Sequence, residues 1–314
     1  MANKIFVGLD TSNYTTSCAI FDSNGEILDN IKILLPVKEG ERGLRQSEAV
    51  FAHIKNIQLI SELVKEKVKD CEIEAIGYSA FPRDIDGSYM PCFLVGESIA
   101  KMISVFSGAS IYRFSHQAGH IRAAVYSSEV ALENEDFIAF HVSGGTTEIV
   151  NVTPNDNYYK INIIGGSNDL HAGQAIDRIG VYMGMKFPCG KEMEEYAKKN
   201  RKEIPRYNIS VKNYTCNLSG LENLALNIYK ETQNKELTCA FTIDFIGNVI
   251  LELTENLRKL FPNHKIVYGG GVLSNSIIQS RLSARFENVY FAEPQFSSDN
   301  ASGIALLTRD KYFN

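Results

Sequence analysis

The chain repeats itself. Phe6-Val7-Gly8-Leu9-Asp10-Thr11-Ser12 turning into Thr15-Thr16 has a counterpart in Ala139-Phe140-His141-Val142-Ser143-Gly144-Gly145 turning into Thr146-Thr147. Each copy is an apolar strand, a turn of small and hydroxyl-bearing residues, a Thr-Thr pair and a return strand. A period of roughly 135 residues is far too long for a solenoid and suits two similar lobes. Apolar periodicity extends both copies. The first reads as strands over 5–10, 15–22 and 26–35, the last following the hairpin signal Asn24-Gly25 and leading into a polar loop at 38–43. A helix over 47–69 with Ser47 as its cap follows, then a strand at 73–79, a helix at 92–106, a strand at 110–113 and a helix carrying His116 and His120. After the charged break at 133–136 the pattern restarts with strands at 137–142, 146–152 and 158–164, the third after the turn at 154–157. Helices at 169–183, 217–232 and 236–260, a strand at 265–268, a helix at 275–284, a strand at 289–291 and a helix at 299–312 complete it. The expected division is 1–132 plus 293–314 as one lobe and 133–292 as the other.

Composition narrows the class. The 314 residues carry a net charge of −5, which argues against a generally basic nucleic-acid binder but leaves room for a local RNA site. Six scattered cysteines without a CxxC pair fit reduced thiols in a cytoplasmic protein. No apolar run approaches the roughly 20 residues that span a bilayer, so no membrane partner is expected.

Four stretches carry the candidate chemistry. His116 and His120, four apart on a helix, share one face and can converge on a transition metal. Ser143-Gly144-Gly145 lets a backbone approach a ligand closely, or is an ordinary hairpin turn. Gly269-Gly270-Gly271 between a strand and a helix suits the floor of a nucleotide site, and Ser274 or Asn275 also suits a helix cap. Gly173, within a helix, marks the close approach of a neighbouring element or of a ribose held by Asp177. Asp299 reads either as a helix cap or as an oxygen ligand completing the histidine site. His53 reads as surface or interlobe packing. Two βββαβα lobes facing a central cleft would be an α/β, two-lobed, actin-like ATPase architecture of the ASKHA, RNase H-like repeat type, with its paired hairpins suited to nucleotide phosphate.

Gly8–Ser12, His116–His120, Val142–Gly145, Ala172–Asp177, Ser219–Leu221, Gly269–Asn275 and Ser298–Asn300, in that order, resemble the TsaD family. These are the tRNA N6-adenosine threonylcarbamoyltransferases, once called O-sialoglycoprotein endopeptidases. The resemblance implies an iron or zinc ion on His116, His120 and Asp299, with His141 as a further ligand where archaeal-type members carry tyrosine. It implies an adenine nucleotide (threonylcarbamoyl-adenylate, AMP or ATP) held by Thr11, Val142, Ser143, Gly144, Gly145, Asp177, Gly190, Gly270, Gly271 and Asn275. Asp10 is expected to be catalytic with the metal ligands. The implied reaction moves threonylcarbamoyl from its adenylate to N6 of the adenosine beside the tRNA anticodon. The implied partners are tRNA, a smaller homologous subunit and a P-loop ATPase.

Departures from the family cluster at the site. Thr146 stands where His or Asn is usual, Gln174 replaces an acid, Glu222 stands for a lysine, and Phe81-Pro82-Arg83 replaces Gly-Pro-Gly. They mark a divergent paralogue, and keep open a related carbamoyl-type transfer to another acceptor or a nucleotide-binding regulatory subunit. A metalloprotease would want a general base that Gln117-Ala118 does not supply. A kinase would want Mg²⁺, which does not favour paired histidines.

Overall fold

The computed structural model describes residues 3–12, 14–36, 44–132, 134–155 and 158–314. The expected polar loop at 38–43, Asn13 of the first turn, Glu133 of the charged break, and Asp156 and Asn157 of the later turn lie outside the described residues. The chain divides into two compact units, Met1–Ser127 with Pro154–Ile161 and Asp299–Asn314, and Ser128–Thr153 with Asn162–Ser298. The boundaries therefore fall at 127/128 and 298/299, against an expected 132/133 and 292/293, and 154–161 clusters with the first unit.

In the first unit, β1 (Asn3–Thr11), β2 (Thr15–Asp22) and β3 (Ile27–Leu34) form a meander, followed by α1 (Gln46–Val64), β4 (Cys71–Phe81), α2 (Phe93–Ser107), β5 (Ser110–Ser115) and α3 (His116–Ser127). The sheet order is β3-β2-β1-β4-β5. β1 is buried on both faces, which is why it reads as a continuous apolar run and not as an alternation. The N-cap of α1 is Arg45, not Ser47, with Glu48 closing a capping box onto the Arg45 backbone.

The second unit repeats that order. β6 (Phe137–Val142), β7 (Thr147–Asn155) and β8 (Tyr158–Ser167) give the meander. They are followed by α4 (Ala172–Tyr182), α5 (Gly190–Lys199), β9 (Ser210–Lys212), β10 (Thr215–Asn217), α6 (Ser219–Thr232), α7 (Lys235–Leu260), β11 (Ile266–Gly269), α8 (Ser276–Arg285) and β12 (Val289–Phe291). Short α9 (Pro294–Ser297) then leads to α10 (Ser302–Phe313), which belongs to the first unit. The sheet order is β12-β11-β6-β7-β8-β10-β9. Reversed and without the β10-β9 extension it is the first sheet strand for strand, so the duplication seen in the hairpins holds for the topology. The sequence pattern misses α5, β9, β10 and α9, all of ten residues or fewer.

One expectation is corrected. α7 is long and apolar enough to cross a membrane by length and composition alone. Its buried residues, from Leu237 through Phe241, Ile246 and Leu253 to Leu257, instead pack in the core of the second unit. The uninterrupted apolar character is that of a helix buried on most of its faces.

Candidate metal centre and nucleotide floor

Close helix packing builds the histidine site. α10 lies directly on β1 and α3, and glycine is required at both crossings. A Cβ on Gly8 would stand 2.4 Å from the Ala305 nitrogen, and one on Gly303 would stand 1.8 Å from the Gly119 carbonyl oxygen. Bare backbone there brings the start of α10 against α3, so Asp299 meets the histidines. Ser115 starts α3, its Oγ accepting the Ala118 N–H at 3.1 Å. Asp84 accepts from both Ser115 Oγ (2.6 Å) and Tyr158 Oη (2.7 Å), which fixes that end of the helix.

His116 Nε2 lies 2.9 Å from His120 Nε2 and 3.8 Å from Asp299 Oδ1, while His120 Nε2 lies 3.2 Å from Asp299 Oδ1. Ligands at about 2.0–2.1 Å from a tetrahedral zinc stand about 3.4 Å apart, so these three atoms fit one ion. Among the described residues they are the group of imidazole and carboxylate donors that converge in this way. Asp299 is not the cap of α10, since the N-cap is Ala301 and Asn300 Oδ1 accepts the Ser302 N–H.

Asp10 stands behind the site, not in it. Its buried carboxylate accepts from the Ser12 N–H (2.9 Å) and Ser79 Oγ (2.5 Å), and meets His116 Nδ1 at 2.6 Å. A carboxylate there holds the proton on Nδ1 and turns the Nε2 lone pair toward a metal. Burial works to raise the Asp10 carboxyl, but His116 and Ser79 outweigh it and hold it below the ordinary range. Burial lowers His116, yet Asp10 and Asp299 carry it up to about 9. The role expected of Asp10 is therefore corrected from reacting group to positioning residue. Ser79, its second anchor, is invisible to motif reading because it sits one strand away.

Thr11 is likewise absorbed by the scaffold, its Oγ1 donating to the Cys92 carbonyl (3.0 Å) and accepting the Gly96 N–H (3.2 Å). His53 is fully buried, not at a surface, and its Nδ1 meets Thr16 Oγ1 at 2.8 Å.

The remaining candidates lie in the second unit. Parallel pairing of β6 with β11 sets their following loops side by side, and the Val272 N–H donates to the Val142 carbonyl at 3.1 Å. Gly270 takes φ +98°, with a Cβ there only 2.3 Å from that same carbonyl, so glycine is required. Gly173 is explained by the turn below it. Its N–H donates to the Ser143 carbonyl at 3.2 Å, and a Cβ would meet the Gly144 backbone at 2.7 Å. By contrast Gly144, Gly145, Gly190 and Gly271 face open space, leaving bare backbone to which a nucleotide can come close. Asn275 caps α8, its Oδ1 accepting from Ile277 and Ile278, and so is a structural residue. Asp177 accepts the Cys189 N–H at 2.8 Å, and burial raises its carboxyl. His141 is buried on β6 beside Glu148 of β7 and Gly269 of β11. Of the departures, Glu222 accepts from Arg178 at 3.1 Å and the Gln174 side chain closes a capping box on His171.

A family model described as tRNA N6-adenosine threonylcarbamoyltransferase matches residues 26–306. The chain belongs to the TsaD family. The relative from Streptococcus suis named tRNA N6-adenosine threonylcarbamoyltransferase is 27% identical, over 99% of this chain and 94% of its own length. The one from Streptococcus thermophilus is 28% identical, over 98% and 91%. The family makes this chain a transferase. The fold is shared with component A of the (R)-2-hydroxyglutaryl-CoA dehydratase of Acidaminococcus fermentans (TM-score 0.57, 14% identity, 99% of both chains). It is also shared with full-length HypF (TM-score 0.62, 13% identity), of which this chain spans 46%. The actin-like ATPase fold expected from the duplicated hairpins is therefore the fold of this chain.

Proposed function

We propose that this chain transfers threonylcarbamoyl from its adenylate to N6 of the adenosine next to a tRNA anticodon, using a divalent transition metal. The observation that carries the metal is the convergence of His116 Nε2, His120 Nε2 and Asp299 Oδ1 within 4.8 Å of one another, with Asp10 orienting His116 from behind. Bound there, an iron or zinc ion supplies Lewis acidity to the acyl-phosphate group.

The rest is done by the chain's own residues. His116, His120 and Asp299 hold the ion, and Asp10 keeps the proton on Nδ1 of His116. His141 is kept as a further ligand on the ground of its place before Val142-Ser143-Gly144-Gly145. The exposed backbone at Gly144, Gly145, Gly190 and Gly271 takes the adenine nucleotide. In the transfer, the N6 nitrogen forms a bond to the carbamoyl carbon, the bond from that carbon to the phosphate oxygen breaks, and AMP leaves with the electron pair. The N6 proton goes to solvent. No covalent enzyme intermediate is invoked, so rate comes from positioning and electrostatics. The reading includes a cytoplasmic protein working with a smaller homologous subunit and a P-loop ATPase.

The test is incorporation of labelled threonine into unmodified tRNA from supplied threonylcarbamoyl-adenylate, with metal content measured on the same preparation. Expected are stoichiometric metal, transfer by the wild type, and loss of both in His116→Ala/His120→Ala. Stoichiometric metal without any transfer to tRNA overturns the assigned acceptor. A metal-free preparation that still transfers overturns the metal.

A further inference from the structure

Phe81-Pro82-Arg83, where the family's Gly-Pro-Gly stands, is the one departure in the first unit, and it borders the metal trio. The Pro82 carbonyl accepts the N–H of Gln117, the residue after His116, at 3.0 Å, and the Arg83 N–H donates to Ser88 Oγ at 3.0 Å. Arg83 is thereby anchored beside the first turn of α3, half-buried, with its charge felt at His116. A second cation comes from the sheet. Asp10 of β1 pairs with Ser17 of β2, and Ser17 pairs with Lys32 of β3. Residues directly opposite across antiparallel strands share a face, so Lys32 stands in the row of Asp10 on the face covered by α10. It is half-buried and electrostatically coupled to Asp299.

We propose that Lys32 and Arg83 are an oxyanion-binding pair that flanks the metal trio and holds an anionic group of the transferase's donor. The charge count shows why such a pair is needed. Asp10, Asp84 and Asp299 against one divalent ion leave the centre one charge negative, which repels an anionic donor. Lys32 and Arg83 make it one charge positive. Partial burial costs each cation hydration, and an anion in the site offsets that cost. Arginine adds the planar fork that suits phosphate or carboxylate oxygens. The anionic group is either the phosphoryl group or the threonyl carboxylate, and the two are separable by experiment.

This inference rests on the proposed transferase reading, and its test is independent of turnover. Titrate the metal-loaded wild type, Lys32→Gln/Arg83→Gln and the charge-keeping Lys32→Arg/Arg83→Lys with AMP, N-carbamoyl-L-threonine and adenosine by calorimetry, measuring metal content in each. The double glutamine variant is expected to lose at least about 10-fold in affinity for AMP if the phosphoryl group is held, or for N-carbamoyl-L-threonine if the carboxylate is. Adenosine binding and metal content stay unchanged, and the charge-keeping variant retains most of the affinity. Equal affinity of wild type and glutamine variant for both anions overturns the pair, and so does a wild type that binds neither. Loss of metal together with the anions overturns it too, because the charges would then be holding the trio. A wild type that binds anions through the pair yet transfers nothing to tRNA instead refutes the assigned reaction.

Discussion

Gly303→Ala tests whether the crossing of α10 on α3 sets the metal centre. The added Cβ would lie 1.8 Å from the Gly119 carbonyl oxygen, 2.6 Å from its carbon and 2.9 Å from the Ala123 nitrogen. All three are backbone atoms, so no side chain can swing aside. Restoring even 3.0 Å requires the helices to part by about 1.2 Å, the difference between that limit and the 1.8 Å contact. Metal sites tolerate ligand displacements of about 0.2 Å. Asp299 lies four residues before Gly303, while both histidines ride on α3, so the separation falls on the contact between Asp299 and His120. Loss of one of three ligands is expected to weaken metal binding by about 100-fold or more, about 2.7 kcal/mol. Overpacking adds about 1–3 kcal/mol of destabilisation. The assay is metal affinity by competition with a chromophoric chelator, with thermal melting of the metal-free protein beside it. A folded Gly303→Ala protein that binds metal as tightly as the wild type refutes the claim that this crossing positions Asp299.

Asp10→Asn keeps the shape but offers an amide where His116 Nδ1 meets a carboxylate. The imidazole then moves its proton to Nε2, and metal affinity is expected to fall about 10–100-fold with little change in fold, as read by calorimetry; unchanged affinity would show that the carboxylate does not set the tautomer. Gly173→Ala drives a Cβ to 2.6 Å from the Ser143 carbonyl, so AMP binding should weaken while metal content holds, and an unaltered AMP affinity separates that turn from the nucleotide site. Tyr158→Phe removes one of the two hydroxyls that Asp84 accepts at the start of α3. A drop of about 1 kcal/mol in stability is expected from chemical denaturation, with metal affinity falling in step, and a melting curve unmoved by the change would count against that clasp.

The hairpin duplication was legible because it is local. Small-residue turns and Thr-Thr pairs follow each other in the chain, and the two sheets share the strand order that the repeat implies. The short elements α5, β9 and β10 were not legible, since two or three turns of helix or three residues of strand carry too little periodicity to rise above the background. Spacing showed that His116 and His120 share a helix face, and only packing could show that Asp299 joins them. Their meeting depends on Gly8, Gly119 and Gly303, glycines whose reason lies in another element of the unit. The same distinction separates Asp10 from Asp299. Both are acids beside conserved-looking turns, but register and hydrogen bonding put one behind a histidine and the other in front of it.

The departures from the family pattern divide along the same line. Glu222 in place of a lysine looks disabling when read alone, yet it pairs with Arg178 from the neighbouring helix, so a cation stays near α6 and has changed its point of attachment. Both partners are about a third exposed, and such a pair is worth about 0–1 kcal/mol. Its meaning is therefore chemical and not structural: a charge relocated within the second unit. Arg83 does the reverse in the first unit, adding a cation where the family's glycine has none. One departure conserves charge and the other adds it, and the one that adds it lies beside the metal trio. That asymmetry is what a change in how the donor is gripped predicts, and random drift gives no reason for the added charge to fall at that site.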